Sequence, residues 1–408
     1  LAGTQPFDGP VLDDPSEVCI ACHGGYDTNV EHWHNWQGSM MAQSQRDPLF
    51  MATVAVAEQA VPAVGDLCLR CHTPGGWMEG RSLDTSGDMI VGKDLQGVQC
   101  DFCHKTVDPN YVAGVSPAKD LEVLNELDAI PVDAANGQFV VDADPVQRGP
   151  YDDAAASHQF LDSAFHRSSD MCATCHDVSN PAFSKNPVTG EYDPEPNGFD
   201  AAASDFSPHT MAPVERTYSE WLNSEYNTAE GVLAPEFAGT KPDGRVSTCQ
   251  DCHMRDVNGV GCNVPGAPTR NDLPLHDMTG GSTWLPPLMA AMHPTKINAA
   301  AVAAGVTRAT YMLENAASLE ANVTDGELVV RVTNETGHKL PTGYPEGRRI
   351  WINVKFFDAG SALIGESGAY DSSTGVLSHD PEAKIYEVHP GIGANIADVV
   401  GLPVGPSL

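Results

Sequence analysis

Basic side chains are scarce in this sequence. Lys and Arg number 22 against 55 Asp and Glu, a formal charge of −33. Binding a nucleic acid requires clustered cations that neutralise phosphates, and this chain has too few to spare. The same deficit argues against an anionic membrane surface. Long apolar runs are missing too: the longest uncharged stretches, Leu285 to Met292 and Ala299 to Val306, fall well short of the ~20 residues that span a bilayer. A soluble chain without membrane insertion is expected. It opens at Leu1 with neither the basic segment nor the apolar run of an export signal, as expected of the mature form of an exported protein. With 38 Gly and 31 Pro there is little room for long regular elements, and the 408 residues allow two or three domains.

Cysteine is plentiful and regularly spaced. Ten of the eleven cysteines fall in five Cys-x-x-Cys pairs, each followed directly by His: Cys19, Cys22 and His23; Cys68, Cys71 and His72; Cys100, Cys103 and His104; Cys172, Cys175 and His176; Cys249, Cys252 and His253. Two thiols three residues apart share one side of a helical turn, where they can add to the two vinyl groups of a haem. The next residue then offers its imidazole to the iron. Zinc half-sites would have to pair, and five is odd; a thioredoxin-type dithiol needs a βαβ context that none of the five has. Five covalent haem c groups are therefore expected, and Cys262 is left as a buried or intermolecular thiol. Haems bring far more apolar surface than side chains do, so a domain built around them tolerates sparse secondary structure. The short interval between Cys71 and Cys100 predicts that the second and third haems form a close pair.

A haem iron that only carries electrons is usually closed by a second strong ligand, His or Met. Ten histidines remain for this role. His158 and His166, eight residues apart, would share one face of a helix running into the fourth motif. His276 precedes Gly280 and Gly281, which allow a macrocycle to approach the backbone. His209 precedes a helix expected to open at Pro213 and to carry Tyr218, Trp221, Leu222 and Tyr226 on one stripe. His32 and His34 flank Trp33 just after the first motif. Asp47 and Pro48 mark the start of an apolar helix through Ala60.

Here the chain resembles the multihaem c-type cytochromes related to the tetrahaem cytochrome that accepts electrons from hydroxylamine oxidoreductase. These carry, after their first motif, a phrase like Trp-x-x-Ser-x-His-Ala. Trp36, Ser39 and Ala42 match it, whereas Met41 stands where the resemblance implies a haem-ligating His. Either Met41 serves as a thioether ligand, which would raise the potential of that haem, or His32 or His34 takes its place. The resemblance covers roughly residues 15–300. It continues weakly through Asn334 to Gly343, where a phrase like Gly-His-x-x-Pro-Thr-Gly opens the β domain of such cytochromes.

An Ala-rich helix from Ile297 to about Ala317 closes the motif-bearing region. Strands are expected at Glu327 to Thr333, Ile350 to Phe357, Ala362 to Glu366 and Lys384 to Val388. The fold class expected is a mainly α and irregular multihaem cytochrome c domain, residues 1–317, packed around five haems. A small antiparallel β-sandwich-like domain, residues 318–408, follows with fewer strands than a closed sandwich wants. The function expected is electron transfer between extracytoplasmic redox partners, in the periplasm or outside the cell. Other cytochromes are the expected partners, with self-assembly into a longer haem chain compatible. The alternative is a multihaem oxidoreductase with one open iron acting on a small nitrogen or sulfur compound. Such enzymes often mark the active haem by an altered motif, and here all five motifs end in His. The dispersed acids read as a solvated surface on a secreted or salt-adapted protein, or as steering toward basic partners.

Overall fold

Each Cys-x-x-Cys-His motif lies at a short helix: Ile20–His23, Gly65–His72, Cys100–Lys105, Ser169–His176 and Cys249–His253. Local signals start them. The Ser168 hydroxyl accepts from Asp170 N–H, and Thr248 and Asp251 form a reciprocal capping box ahead of the fifth motif. The computed structural model describes residues 1–61, 63–154, 156–194, 207–389 and 391–406. Among them the two longest helices are Pro48–Ala60 and Ala299–Asn315. The first begins where Asp47 accepts from the N–H groups of Leu49 and Phe50 and Pro48 presets the first turn. The second is capped by Asn298 and packs on Leu285–Met292 and on His32–Gln37. That last crossing is tight, because a Cβ on Gly38 would stand 2.4 Å from the Ala301 carbonyl oxygen and one on Gly305 2.6 Å from that of Gly38. Only glycines allow the late helix to lie on the segment that follows the first motif.

The motif-bearing region is mixed helix and sheet rather than mainly helical. Val178–Lys185 lies between Tyr192–Pro194 and Met211–Glu215 in a three-stranded sheet, and Asp256–Val260 pairs with Thr269–Pro274. Two expected helices are replaced. Gln159–Asp162 is a strand in parallel register with Val146–Gly149, followed by a 3-10 turn at Ala164–Arg167. His158 and His166 therefore do not share a helix face. Pro213 sits within a strand opposite Ser179, and the helix starts later, at Thr217–Leu222. In both places the pairing of a neighbouring strand outweighs the local helical pattern.

The hydrophobic clusters are small, and two of them lie against motifs. Trp77, Phe102 and Phe139 meet edge to face beside Cys103, and Tyr226, Phe237 and Val246 pack beside Cys252. Arg148 is fully buried, donating to Asp120 (2.8 Å) and Asp142 (2.7 Å).

Beyond residue 317 the described strands form two-stranded antiparallel units. Ala317–Thr324 and Glu327–Asn334 make a hairpin turned by Asp325 and Gly326, both at positive φ, as a two-residue hairpin loop requires. Arg349–Trp351 pairs with Ile385–Glu387, and Val354–Phe357 with Leu363–Ser367. The hairpin begins at Ala317, where the sequence reads as the end of a helix. Leu319, Val323, Val329, Phe357 and Ile364 are exposed, and among the described residues after 317 the buried apolar side chain is Ala397.

Replacing Arg148 by Ala strands two buried carboxylates. The expected cost is about 3–5 kcal/mol, read as a lowered thermal or denaturant midpoint of the haem-loaded protein; a midpoint within error of the parent would show the network to be inert.

Candidate haem-binding centres

No disulfide joins any of the eleven cysteines, so none of the five Cys-x-x-Cys pairs is committed to a structural bridge. A bare metal ion would need several donors converging on one point. Among the described residues no three His, Cys, Asp or Glu side chains do so.

The motif imidazoles share a device. His23 Nδ1 lies 2.7 Å from the Gly261 carbonyl oxygen, His104 Nδ1 2.6 Å from that of Arg148, and His253 Nδ1 2.6 Å from that of Thr279. His72 Nδ1 makes a longer contact, 3.5 Å, with the Ser44 carbonyl. A carbonyl can only accept, so Nδ1 carries the proton and the lone pair is left on Nε2, the tautomer a metal ligand needs. His176 differs. Its Nδ1 faces the Glu215 carboxylate at 3.6 Å. Burial lowers the pKa of His23, His104 and His253, and takes His72 down to about 4. These rings are neutral at pH 7, as ligation requires. Burial acts in the same sense on His176, but the Glu215 carboxylate overrides it and holds the ring up at about 9.

Second imidazoles stand near three of the five, and two of these second rings, His32 and His276, are themselves 3.9 Å apart with planes tilted by 38°. Two rings bound to one metal at about 2 Å each have centroids about 6 Å apart. His23 and His32 are 5.5 Å apart with planes 24° from parallel; His104 and His276 are 6.1 Å apart at 13°; His253 and His338 are 6.3 Å apart at 17°. His276 is anchored as the motif rings are, its Nδ1 2.9 Å from the Pro274 carbonyl. The loop that follows is pinned by Asp277, which pairs with Arg255 and Arg308 and accepts from the Thr279 hydroxyl. One buried carboxylate thus steadies both His276 and the carbonyl that orients His253. His32 Nδ1 is buried without a partner. Desolvation drives His32 well below its ordinary pKa and His276 to about 3.

The other candidates are spread out. His166 also lies 5.8 Å from His104, but its Nε2 bonds the Cys103 carbonyl at 3.0 Å while its buried Nδ1 has no partner. His34, on the opposite side of its helix from His32, is set among Glu31 and Arg308. His158 is exposed, with Nδ1 3.1 Å from the Gln159 carbonyl. His209 is exposed on a surface cleft with Asp170, Asp177 and Tyr218. Met41 packs on the Leu12, Trp77 and Phe139 cluster near Cys103. His72 stacks on Phe50 at 3.6 Å, and no ring pair formed by the described residues joins it or His176 to a second imidazole.

Thiols of different motifs also meet. Cys19 lies beside Cys100, Cys71 beside Cys175, and Cys172 beside Cys249. The contacts join the first motif to the third, the second to the fourth and the fourth to the fifth, whereas spacing along the chain pointed to the second with the third. The residues that sequence reasoning missed are Glu215, His338 and the anchoring carbonyls of Gly261, Arg148, Thr279 and Pro274. Carbonyls carry no side-chain signature, but His338 stood in a recognisable phrase. Cys262 sits within the loop that grips the first motif, where Gly261 meets His23 and Asn263 N–H donates to the Cys22 carbonyl.

A family model described as "Cytochrome c554 and c-prime" matches residues 18–105, a segment that contains the first three motifs. No curated protein matches the chain. Among solved structures, the penta-heme cytochrome c552 of Thermochromatium tepidum aligns over 96% of this chain and 80% of its own at 19% identity, with a TM-score of 0.47, too low to establish a shared fold. The similarity of residues 18–105 to that family, and the five free thiol pairs each followed by His, together support a multihaem c-type cytochrome.

Proposed function

We propose that this chain is an extracytoplasmic electron carrier that holds five haem c groups. The observation that carries the reading is the repeated unit of a thiol pair beside a motif imidazole that is half-buried and Nδ1-anchored on a carbonyl in four of the five. Cys19, Cys22, Cys68, Cys71, Cys100, Cys103, Cys172, Cys175, Cys249 and Cys252 hold the groups; His23, His72, His104, His176 and His253 supply the fifth ligands. Haem c, when bound, supplies an iron that takes up and releases one electron. The protein's part is to hold four neutral imidazoles in fixed tautomers and to set the fifth, His176, against the Glu215 carboxylate. The proximity of thiols from different motifs supports neighbouring attachment points, which a carrier of several electrons needs.

His32 would hold an iron together with His23, and His276 one together with His104. His276 is preferred to His166 because its Nδ1 is the nitrogen anchored on a carbonyl, as in the motif rings, whereas in His166 the Cys103 carbonyl engages Nε2. Other cytochromes outside the cytoplasm are the partners, with the acid excess suited to basic ones. A second reading, an oxidoreductase with an open iron, is favoured by His72 and His176, whose rings are paired with Phe50 and Glu215 rather than with a second imidazole.

The exported protein is expected to carry five haem masses on the intact chain that survive acid–acetone extraction. Cyanide and carbon monoxide should bind slowly and in less than one equivalent, while external donors reduce it quickly. Rapid stoichiometric binding with turnover of nitrite or hydroxylamine would replace the carrier reading with the oxidoreductase one; a bare-chain mass would end both.

His276→Ala should convert one low-spin ferric iron to high-spin with all haems retained, and His166→Ala should leave the spectrum unchanged. The opposite pattern in electron paramagnetic resonance would assign the ligand to His166.

A carboxylate partner makes an imidazole a more basic ligand, which stabilises ferric iron and lowers its potential. Glu215→Gln should therefore raise the potential of one haem in a spectroelectrochemical titration and leave the others in place. Five unshifted potentials would show the contact with His176 to be without effect.

A further inference from the structure

The fifth motif faces a ring from beyond the motif-bearing region, that of His338. Thr336 and His338 lie in a loop leaving the hairpin strand Glu327–Asn334, and the loop is rigid by construction. Asn334 donates to the His338 carbonyl at 2.6 Å and accepts from Thr336 N–H at 2.9 Å. His338 Nδ1 is 3.1 Å from the Lys339 carbonyl and 3.3 Å from the Thr336 hydroxyl. Its protonated nitrogen is thereby engaged, as in the motif imidazoles, and Nε2 is left over. The ring is half-buried and near-parallel to His253 at 6.3 Å.

The loop is also held down on both sides of His338. Glu220 accepts from Lys339 N–H (2.9 Å) and from the Thr342 hydroxyl (2.7 Å). Gly343 N–H donates to the Thr217 hydroxyl at 3.1 Å, and Tyr226 donates to the Glu335 carbonyl at 2.5 Å. Gly337 lies flat on Trp221, since a Cβ there would be 3.1 Å from Cδ1 of the indole. The same indole donates at 2.8 Å to the Ser247 carbonyl, two residues before Cys249. Trp221 thus sets the spacing between the segment that enters the fifth motif and the loop that presents His338. So many fixed contacts around one imidazole exceed what holding a surface loop requires.

We propose that His338 is the sixth ligand of the iron attached at Cys249 and Cys252, so that a metal bond clamps the strand-rich C-terminal region to the haem-bearing region. This rests on the haem c reading given above. When that ligand is lost the iron becomes high-spin and the clamp opens, two changes a merely structural histidine would not link.

The test uses the exported, haem-loaded full chain, with His338→Ala beside Lys339→Ala from the same loop. Five haem masses on the parent establish the haem reading independently; fewer would fail that reading before His338 is in question. In His338→Ala all five haems should remain, one ferric iron in five should turn high-spin, and limited proteolysis near residues 315–317 should accelerate. Free imidazole should restore the low-spin signal but not the protease resistance, because it replaces the ligand without its tether. Lys339→Ala should resemble the parent in both readouts. An unchanged spectrum in His338→Ala, with five haems attached, overturns the proposal. If that variant does not accumulate, His338→Met should give a low-spin His/Met iron of higher potential, and a Met variant with the parent's spectrum and potentials overturns it equally.

Discussion

The hydrogen bond from a histidine Nδ1–H to a backbone carbonyl is the contact on which the rest of this molecule depends. It selects the tautomer, aims Nε2 and sets the ring plane, all from an acceptor that has no side chain to mutate. Three of the motif rings are held at 2.6–2.7 Å by Gly261, Arg148 and Thr279. Each carbonyl must itself be fixed. Arg148 is fixed by its buried pairing with Asp120 and Asp142, and Thr279 by the Asp277 cluster with Arg255 and Arg308. Costly buried ion pairs are placed where they steady backbone next to an imidazole, which gives them a positional role beyond any net stability.

Burial and charge are partitioned in the same way. The chain is strongly acidic, yet the rings at the centres are neutral because desolvation depresses them, and the nearby carboxylates are mostly neutralised by Arg. His176 is the exception, with a carboxylate as direct partner. Five identical sequence motifs therefore do not provide five identical environments, and it is the surroundings that distinguish them.

Much of the chemistry was readable along the chain and much of the geometry was not. Cys-x-x-Cys-His is a local code, confined to one helical turn, so its meaning does not depend on what lies far away. The same holds for Asp47 and Pro48, which start the helix Pro48–Ala60 where expected, and for Asp325 with Gly326 at the hairpin turn. The helix expected from His158 to His166 failed because a parallel partner, Val146–Gly149, lies outside the window in which periodicity is judged. The motif adjacencies, the opposing imidazoles and Glu215 are likewise products of long-range packing. A histidine's sequence neighbours say little about which ring it will face, and surplus histidines made the choice harder.

The order of the chain adds a consequence in time. Thioether formation needs only the five-residue motif and can proceed on an extended polypeptide. Orientation of the rings cannot. Ser44 is already present when His72 emerges, and Thr279 follows His253 closely, but the carbonyl that aims His23 belongs to Gly261, 238 positions later. The first motif to be made thus waits through the longest stretch of chain for its acceptor. Closing so long a loop is slow compared with local folding, and until it closes the first imidazole has no defined plane. Maturation of the N-terminal centre is in this way made conditional on completion of the chain through its fifth motif.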